Sequence, residues 1–520
     1  MRIPPSTAIN PSRRRWLQAA AGIAGLAVTG GAARILAQPH FFADPFSLGV
    51  ASGDPAADGF VLWTRLAPDP FVGGGMPDRD VPLQWFVAED ENFKRVVQRG
   101  VAIASPEWAH SLHVEVSGLA PDRWYWYRFI SGGVASPAGR ARTLPLAGAP
   151  ASRLRLAVAS CQHFEQGYFS AYRHMLDDDL DFIVHVGDYT YEGSWGAQIR
   201  RHESPHGTFT LADYRNRHAC YKRDPDLQRA HAMYPWLLTW DDHDVSNDYA
   251  GFVPNNGETA AEFAQRRAAA YRAYYEHMPL RAAHRPDNDG GMSLYSRLDF
   301  GALARINLVD DRQYRSPHAC SERGTIVRNC AQRWATDQTM LGATQERWLN
   351  AGLAASTARW NVLAQQTLIA PFESRARDGG YDVWTDGWDG YAGARARLLA
   401  LVTEQRVQNV VALGGDMHAF YVTDLKADFD DTTAPPVATE FVGTSITSHD
   451  VDYVAVSADL PHNPHIRYFE SRWRGYLFCD VTPGQWRTDL RIVDNVENAQ
   501  SRGRNLLSFF VEDGRPGAQT

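Results

Sequence analysis

Sulfur is scarce in this 520-residue sequence, and so are long apolar runs. Five cysteines are too few for a disulfide-built scaffold, so packing must supply most of the stability. No low-complexity tract and no internal repeat occurs, which argues for an ordinary globular chain. The apolar stretch in "PSRRRWLQAAAGIAGLAV" is too short to span a bilayer as a permanent helix. Basic residues are also in deficit, with 52 Lys and Arg against 60 Asp and Glu, a net charge of −8. Such a chain makes a poor general binder of nucleic acid or anionic membrane. If its substrate is an anion, the attraction must come from local cations, and metals would serve.

What is present begins with the N-terminus. Arg13-Arg14 stands before Trp16-Leu17 and a weakly apolar Ala/Gly stretch, which looks like a twin-arginine export signal with cleavage near Ala37. Residues 1–37 are therefore expected to be removed after passage through the twin-arginine export machinery, leaving a periplasmic or secreted protein that is exported folded, often with its cofactor loaded. The loss of five arginines and no acid leaves 47 basic against 60 acidic residues, a net charge of −13. In an oxidising compartment Cys320 and Cys330, which bracket "CSERGTIVRNC", would close a short disulfide. Cys161, Cys220 and Cys479 remain, an odd set.

A chain of this length holds more than one core. Residues 44–143 read as all-β, with short aromatic or β-branched runs such as "FVLWTRL" and "RWYWYRFI" between turn residues. They resemble the last strands of an immunoglobulin- or fibronectin-like sandwich. "LPLAGAPAS" is a linker by composition. From 152 to 520 apolar strands alternate with helical stretches, the signature of a layered α/β domain. Expected strands at 154–159, 182–186, 236–240, 304–309 and 410–413 end respectively in Cys161, Gly187-Asp188, Asp241-Asp242-His243-Asp244, Asp310-Asp311 and Gly414-Gly415-Asp416-Met417-His418. Ligands gather at the carboxyl ends of strands in such sheets. "GETAAEFAQRRAAAYRAYYEHM" and "MLGATQERWLNAGLAAS" predict amphipathic helices. The polar stretch 192–234 predicts an irregular loop over the site.

Each cluster has a bland reading. Asp188 at a strand end resembles an ordinary turn former, and a buried cysteine is usually a small apolar filler. The run Asp241 to Asp244 is harder to dismiss, because four such groups after an apolar strand are either exposed or neutralised by cations. Asp416 and His418 alternate along an extended segment, so both side chains can point one way.

The order strand–Gly-Asp-x-x-Tyr, then an acidic-imidazole cluster, then Gly-Asp-x-His resembles the calcineurin-like metallophosphoesterases. Three departures, Cys161, Asp242 and Asp416, match the narrower family of PhoD-type alkaline phosphatases. "SGDPAADGFVLWTRL", "LVDDRQYR", "NVLAQQ" and "DGWDGYAGAR" are similar to that family too. The resemblance implies a metallophosphoesterase domain, an αββα-like sandwich of two sheets flanked by helices, preceded by the small β domain. It implies a phosphatase acting on small phosphate monoesters, and on diesters, with Fe(3+) and Ca(2+); a Zn or Mn pair is the alternative. Cys161, Asp188 and Tyr191 would hold iron, Asp188 would bridge to calcium, and Asp242 and Asp416 would complete the calcium side. His418 is a ligand of unassigned metal, and His243 is the candidate acid. Asn247, Gln366 and Arg312 are further candidates for metal or phosphate contacts, although an amide often serves backbone and Arg312 could instead pair with Asp310 or Asp311. Trp388, Asp389 and Tyr391 look like an active-site lid. Competing readings are a dedicated phosphodiesterase of phospholipase D or nucleotide type, and an inactive secreted binding protein.

Overall fold

Alternation along single strands sets the layers of this computed structural model. It describes residues 39–520 apart from 72, 197, 376–379 and 450; the expected signal at 1–37 lies outside the described residues. In the strand Leu154–Ala159, Leu156 and Val158 enter one buried cluster while Ala157 and Ala159 enter another, as a two-residue period requires. The first cluster lies between two large sheets. On one side stand Leu156, Val158 and Val184, and on the other Ile306, Val362, Val411 and Leu413.

The strands Leu154–Ala159, Phe182–His185 and Pro235–Leu238 run parallel at the centre of a ten-stranded sheet. The facing seven-stranded sheet has a parallel centre of Ala304–Leu308, Trp360–Ala364, Val410–Gly414 and Pro436–Val442. Helices cover both outer faces. Ala260–His277 and Leu211–Lys222 pack Tyr271, Tyr274, Tyr214 and Tyr221 on the first sheet. Gly342–Ala354 and Ala392–Glu404 pack Leu349, Leu353, Leu398 and Val402 on the second. The helix Ala260–His277 opens with a reciprocal Thr259–Glu262 capping box, which satisfies two otherwise orphaned backbone donors.

Two expectations are revised. The N-terminal strands lie in two packed sheets, but one of these is continuous with the large sheet of the α/β layers rather than separate from it. Val50–Ala56, Gly59–Arg65 and Ser111–Val116 extend the ten-stranded sheet, while Val81–Ala88, Val96–Ala104 and Trp124–Ser131 belong to a five-stranded sheet packed against them. Gly53 permits the junction, since a Cβ there would come within 2.9 Å of the Trp236 carbonyl oxygen and 2.5 Å of the Pro279 one. Secondly, 192–234 is not a loop throughout: Leu211–Lys222 and Pro225–Met233 are helices. Their polar side chains hid them, because Arg217 and His218 are buried as well as Tyr214 and Tyr221.

Ile326–Arg328, Tyr381–Trp384 and Ser374–Arg375 form a small three-stranded sheet of their own. The Cys320–Cys330 disulfide closes the loop that carries its first strand, and Cys330 packs on Val383 of its second.

Candidate metal centre

The carboxyl ends of both sets of parallel strands meet at one place. The backbone there is held in an unusual conformation. Cys161, Asp188, Asp416 and His418 all have positive φ, at 58°, 53°, 60° and 49°, a region that costs a non-glycine residue about 1–3 kcal/mol and persists only where surroundings impose it. The surroundings are close. The Cys161 and Gln162 N–H groups donate to the Gly187 and Asp188 carbonyls at 3.2 and 3.1 Å. Gly187, at φ +113°, has no room for a Cβ, which would lie 2.4 Å from that of Asp241.

Four trios of donor atoms, each within 4.8 Å of one another, share members. They are Cys161, Asp188 and His418; Asp188, Asp242 and His243; Asp241, Asp242 and Asp416; and Asp242, Asp248 and Asp386. Asp188 and Asp242 thus link the thiol side to the carboxylate side. Tyr191 joins the first trio through its hydroxyl, 3.2 Å from His418 Nε2, and accepts from the Ser448 hydroxyl at 2.6 Å. His418 Nδ1 lies 2.7 Å from the His449 carbonyl, so Nδ1 carries the proton and Nε2 presents a lone pair. His243 Nδ1 bonds Glu192 at 2.8 Å, and its backbone N–H donates to Asp188 at 3.3 Å. Its ring packs against both Tyr191 and Trp195, with centroids at 4.3 and 5.0 Å, and those two rings also touch each other at 5.6 Å. That contact comes from the early part of 192–234, which does cover the site.

The weaker candidates have other duties. Arg312 is fully buried; it pairs with Asp241 and Asp386, and its Nη2 lies 3.7 Å from Asp242 and 3.5 Å from Asp416. Gln366 Nε2 donates to Thr239 Oγ1 and to the Trp240 and Val309 carbonyls, tying the two sheets together. Asn247 is exposed, and its backbone N–H donates to Glu192.

Buried acids crowd this place beyond what Arg312 can neutralise. Burial, with Asp242, Asp244 and Asp416 nearby, pushes the Asp188 carboxyl well above its ordinary value against the pull of His243. Burial likewise raises Asp416, to about 6, and Asp241, both against Arg312. Asp242 goes the other way, because Arg312 and His243 together outweigh its burial. Burial is also the main cause that raises the Cys161 thiol and the Tyr191 phenol, with Asp188 second in both. His243 stays protonated well above its usual range: burial opposes this, but Glu192, Asp242 and Asp188 prevail. Asp188 Oδ2, Asp241 Oδ2 and Asp242 Oδ1 are buried without a hydrogen-bond partner. Orphaned carboxylate oxygens beside a thiol and an imidazole lone pair are the donor set a cation requires.

Glu192, Ser448 and Asp386 went unread in the sequence. Glu192 had a signal, standing next to Tyr191. Ser448 lies in "GTSITS", where nothing local distinguishes it, and Asp386 opens the motif "DGWDGYAGAR", whose Trp388, Asp389 and Tyr391 drew the reading instead. The strand Trp360–Ala364, which delivers Gln365 and Gln366 to this end of the sheet, was also missed among the expected strands.

Comparison with known proteins gives one consistent result. The family described as PhoD-like phosphatase matches residues 156–490, and PhoD-like phosphatase, N-terminal domain, matches 31–145. Alkaline phosphatase D of Bacillus subtilis (strain 168) is 43% identical over 526 residues, 97% of this chain and 88% of that protein. A solved structure of PhoD superposes with a TM-score of 0.89 at 43% identity, covering 92% of this chain and 93% of that one.

Proposed function

Because the chain belongs to the PhoD-like phosphatases and is a phosphoric ester hydrolase, we propose that it is an exported alkaline phosphatase cleaving small phosphate monoesters, and diesters, at a ferric and calcium centre. The observation that carries this reading is the set of buried Cys161, Asp188, Tyr191 and Asp242 with half-buried Asp416 and His418, in which one oxygen each of Asp188 and Asp242 has no hydrogen-bond partner. A thiolate and a phenolate suit a trivalent, redox-capable ion, and carboxylates suit calcium. Cys161, Asp188 and Tyr191 would hold iron, and the proximity of His418 to Cys161 and Asp188 supports placing it there as well. Asp188 would bridge to calcium, held further by Asp242 and Asp416. When bound, the cations would neutralise the phosphate oxygens and lower the pKa of water.

The chain's own residues then position and protonate. Glu192 occupies His243 Nδ1, leaving Nε2 as the ring nitrogen that offers a proton to the departing alkoxide. Asn247 anchors Glu192 through its backbone N–H, and the adjoining rings of Tyr191 and Trp195 fix the imidazole plane. Arg312 orients Asp241 and Asp386 and balances the acids, and its Nη2, without a hydrogen-bond partner beside Asp242 and Asp416, is the arm available to a phosphate oxygen. The reading includes export through residues 1–37, a β layer at 44–143 and a catalytic domain at 152–520, in the four-layered arrangement of metallophosphoesterases.

Turnover of p-nitrophenyl phosphate by protein supplied with calcium tests the hydrolase, and metal analysis with a visible tyrosinate-to-iron charge-transfer band tests the centre. A colourless, iron-free, fully active protein would reject the ferric reading in favour of a Zn or Mn pair.

A further inference from the structure

Immediately beside the candidate centre lies a cavity of about 250 Å³. Its floor includes Met417, the residue between Asp416 and His418, and Leu368, which follows Thr367; the Thr367 hydroxyl donates to Asp416 at 2.8 Å. Its walls are Trp384, Trp388, Phe372 and Val456, and exposed Ile326 (66%) forms its lip. Trp388 is fixed by its indole N–H, which donates to Gln365 at 3.1 Å. Four larger cavities among the described residues touch none of the candidate site residues.

The charged groups on the described lining of this cavity are all acids, each held by a partner behind it. Asp382, Asp389 and Asp459 border it, and its described lining contains no Lys, Arg or His. Asp389 is tied to Arg395 and to the Phe372 N–H, Asp459 to the Ser374 hydroxyl, and Asp382 to Arg328. A second phosphate or a carboxylate entering here would meet three carboxylates, two of them paired with arginines, and no cation on the described lining. An apolar group would meet two indoles, a phenyl ring and aliphatic side chains. We propose that this cavity receives the organic group of the ester and selects uncharged, apolar alcohols. The inference rests on the phosphatase reading and adds the substrate class.

A homologous series of n-alkyl phosphates tests it on the metal-loaded protein, because ethyl, butyl and hexyl esters share one leaving-group reactivity. Burial of each added methylene is expected to raise kcat/KM about threefold, on the order of a hundredfold from ethyl to hexyl. A terminal carboxylate on the hexyl chain should erase that gain. In Trp384→Ala and Ile326→Asp the hexyl-to-ethyl ratio should fall at least about tenfold; as a ratio within each variant, it is insensitive to how much protein folds. Hexylphosphonate, which is not hydrolysed, should bind more tightly than ethylphosphonate by tryptophan fluorescence titration. Equal kcat/KM along the series, or a chain-length gain untouched in both variants, would overturn the cavity assignment and leave the phosphatase reading standing. Failure to hydrolyse any ester in the series would remove both.

Discussion

Cys161 illustrates how one atom's surroundings decide its chemistry. It is fully buried, its backbone sits at φ 58°, and its thiol is pushed up by burial and by Asp188 and Asp416. Without a cation such a thiol stays protonated and inert; bound to iron it would be a thiolate. Cys161→Ser changes little volume, so unfolding free energy should fall by only about 1–2 kcal/mol. Bound iron should be largely lost, with activity down at least about a hundredfold. Metal content measured beside a melting curve checks both. Glu440 offers a second residue-scale prediction. Burial raises its carboxyl from 4.5 to about 7, against bonds from the Ile369 and Ala370 N–H groups and the Thr423 hydroxyl. Below pH 4.5 the folded and unfolded chains both hold the proton, and folding costs nothing on this account. Above pH 7 both have released it, and the fold is weakened by ~3 kcal/mol. Glu440→Gln should therefore gain about that much relative to the parent between pH 4.5 and pH 8, measured by denaturant unfolding at each pH. A difference that does not change with pH would refute it.

At the scale of elements, turns at strand ends aim the side chains. Gly187 is where the strand Phe182–His185 hands over to Asp188, pressed against Asp241. Gly187→Ala adds a methyl group where none fits and strains a positive φ. It should cost about 2–4 kcal/mol of stability and displace two carboxylates at once. Weaker calcium binding by calorimetry, together with a lower melting temperature, is the expected pair of results; unchanged binding would show that the turn does not position Asp188. The sequence announced this geometry where periodicity and polarity coincide. Apolar runs ending in Asp188, in Asp241 to Asp244 and in Asp416 could be read directly, because period-two burial and sudden acidity are both local signals. Helices rich in buried Arg and His, as in Leu211–Lys222, could not, since their partners come from elsewhere in the chain. For the same reason Ser448 was silent: it reaches Tyr191 across 257 positions. The N-terminal strands were legible as strands, but which sheet claims them depends on pairing such as Ser52 with Pro235.

At the scale of the whole molecule, two sheets are locked together partly by Gln366, whose amide donates from one of them to Thr239 and Trp240 of the other. The acid cluster sits at that same junction. Like charges so placed push the sheets apart unless cations hold them, so metal content and global stability are coupled. Chelation should lower the melting temperature, and added calcium should restore it, by about 2.7 kcal/mol when free calcium is a hundred times its Kd. A melting curve indifferent to chelation would show that the cluster is not a cation site. The Cys320–Cys330 bond leads to a different kind of consequence. It braces the strand that carries Ile326, which pairs with Trp384, and so it tethers one wall of the apolar cavity while touching none of the metal-side residues. Such a tether closes only in oxidising surroundings. A copy kept in reducing surroundings would hydrolyse without discriminating, so with reductant the hexyl-to-ethyl preference should collapse while ethyl phosphate turnover persists. Substrate choice would then be a property the protein acquires on arrival, stamped by the compartment rather than by the ribosome.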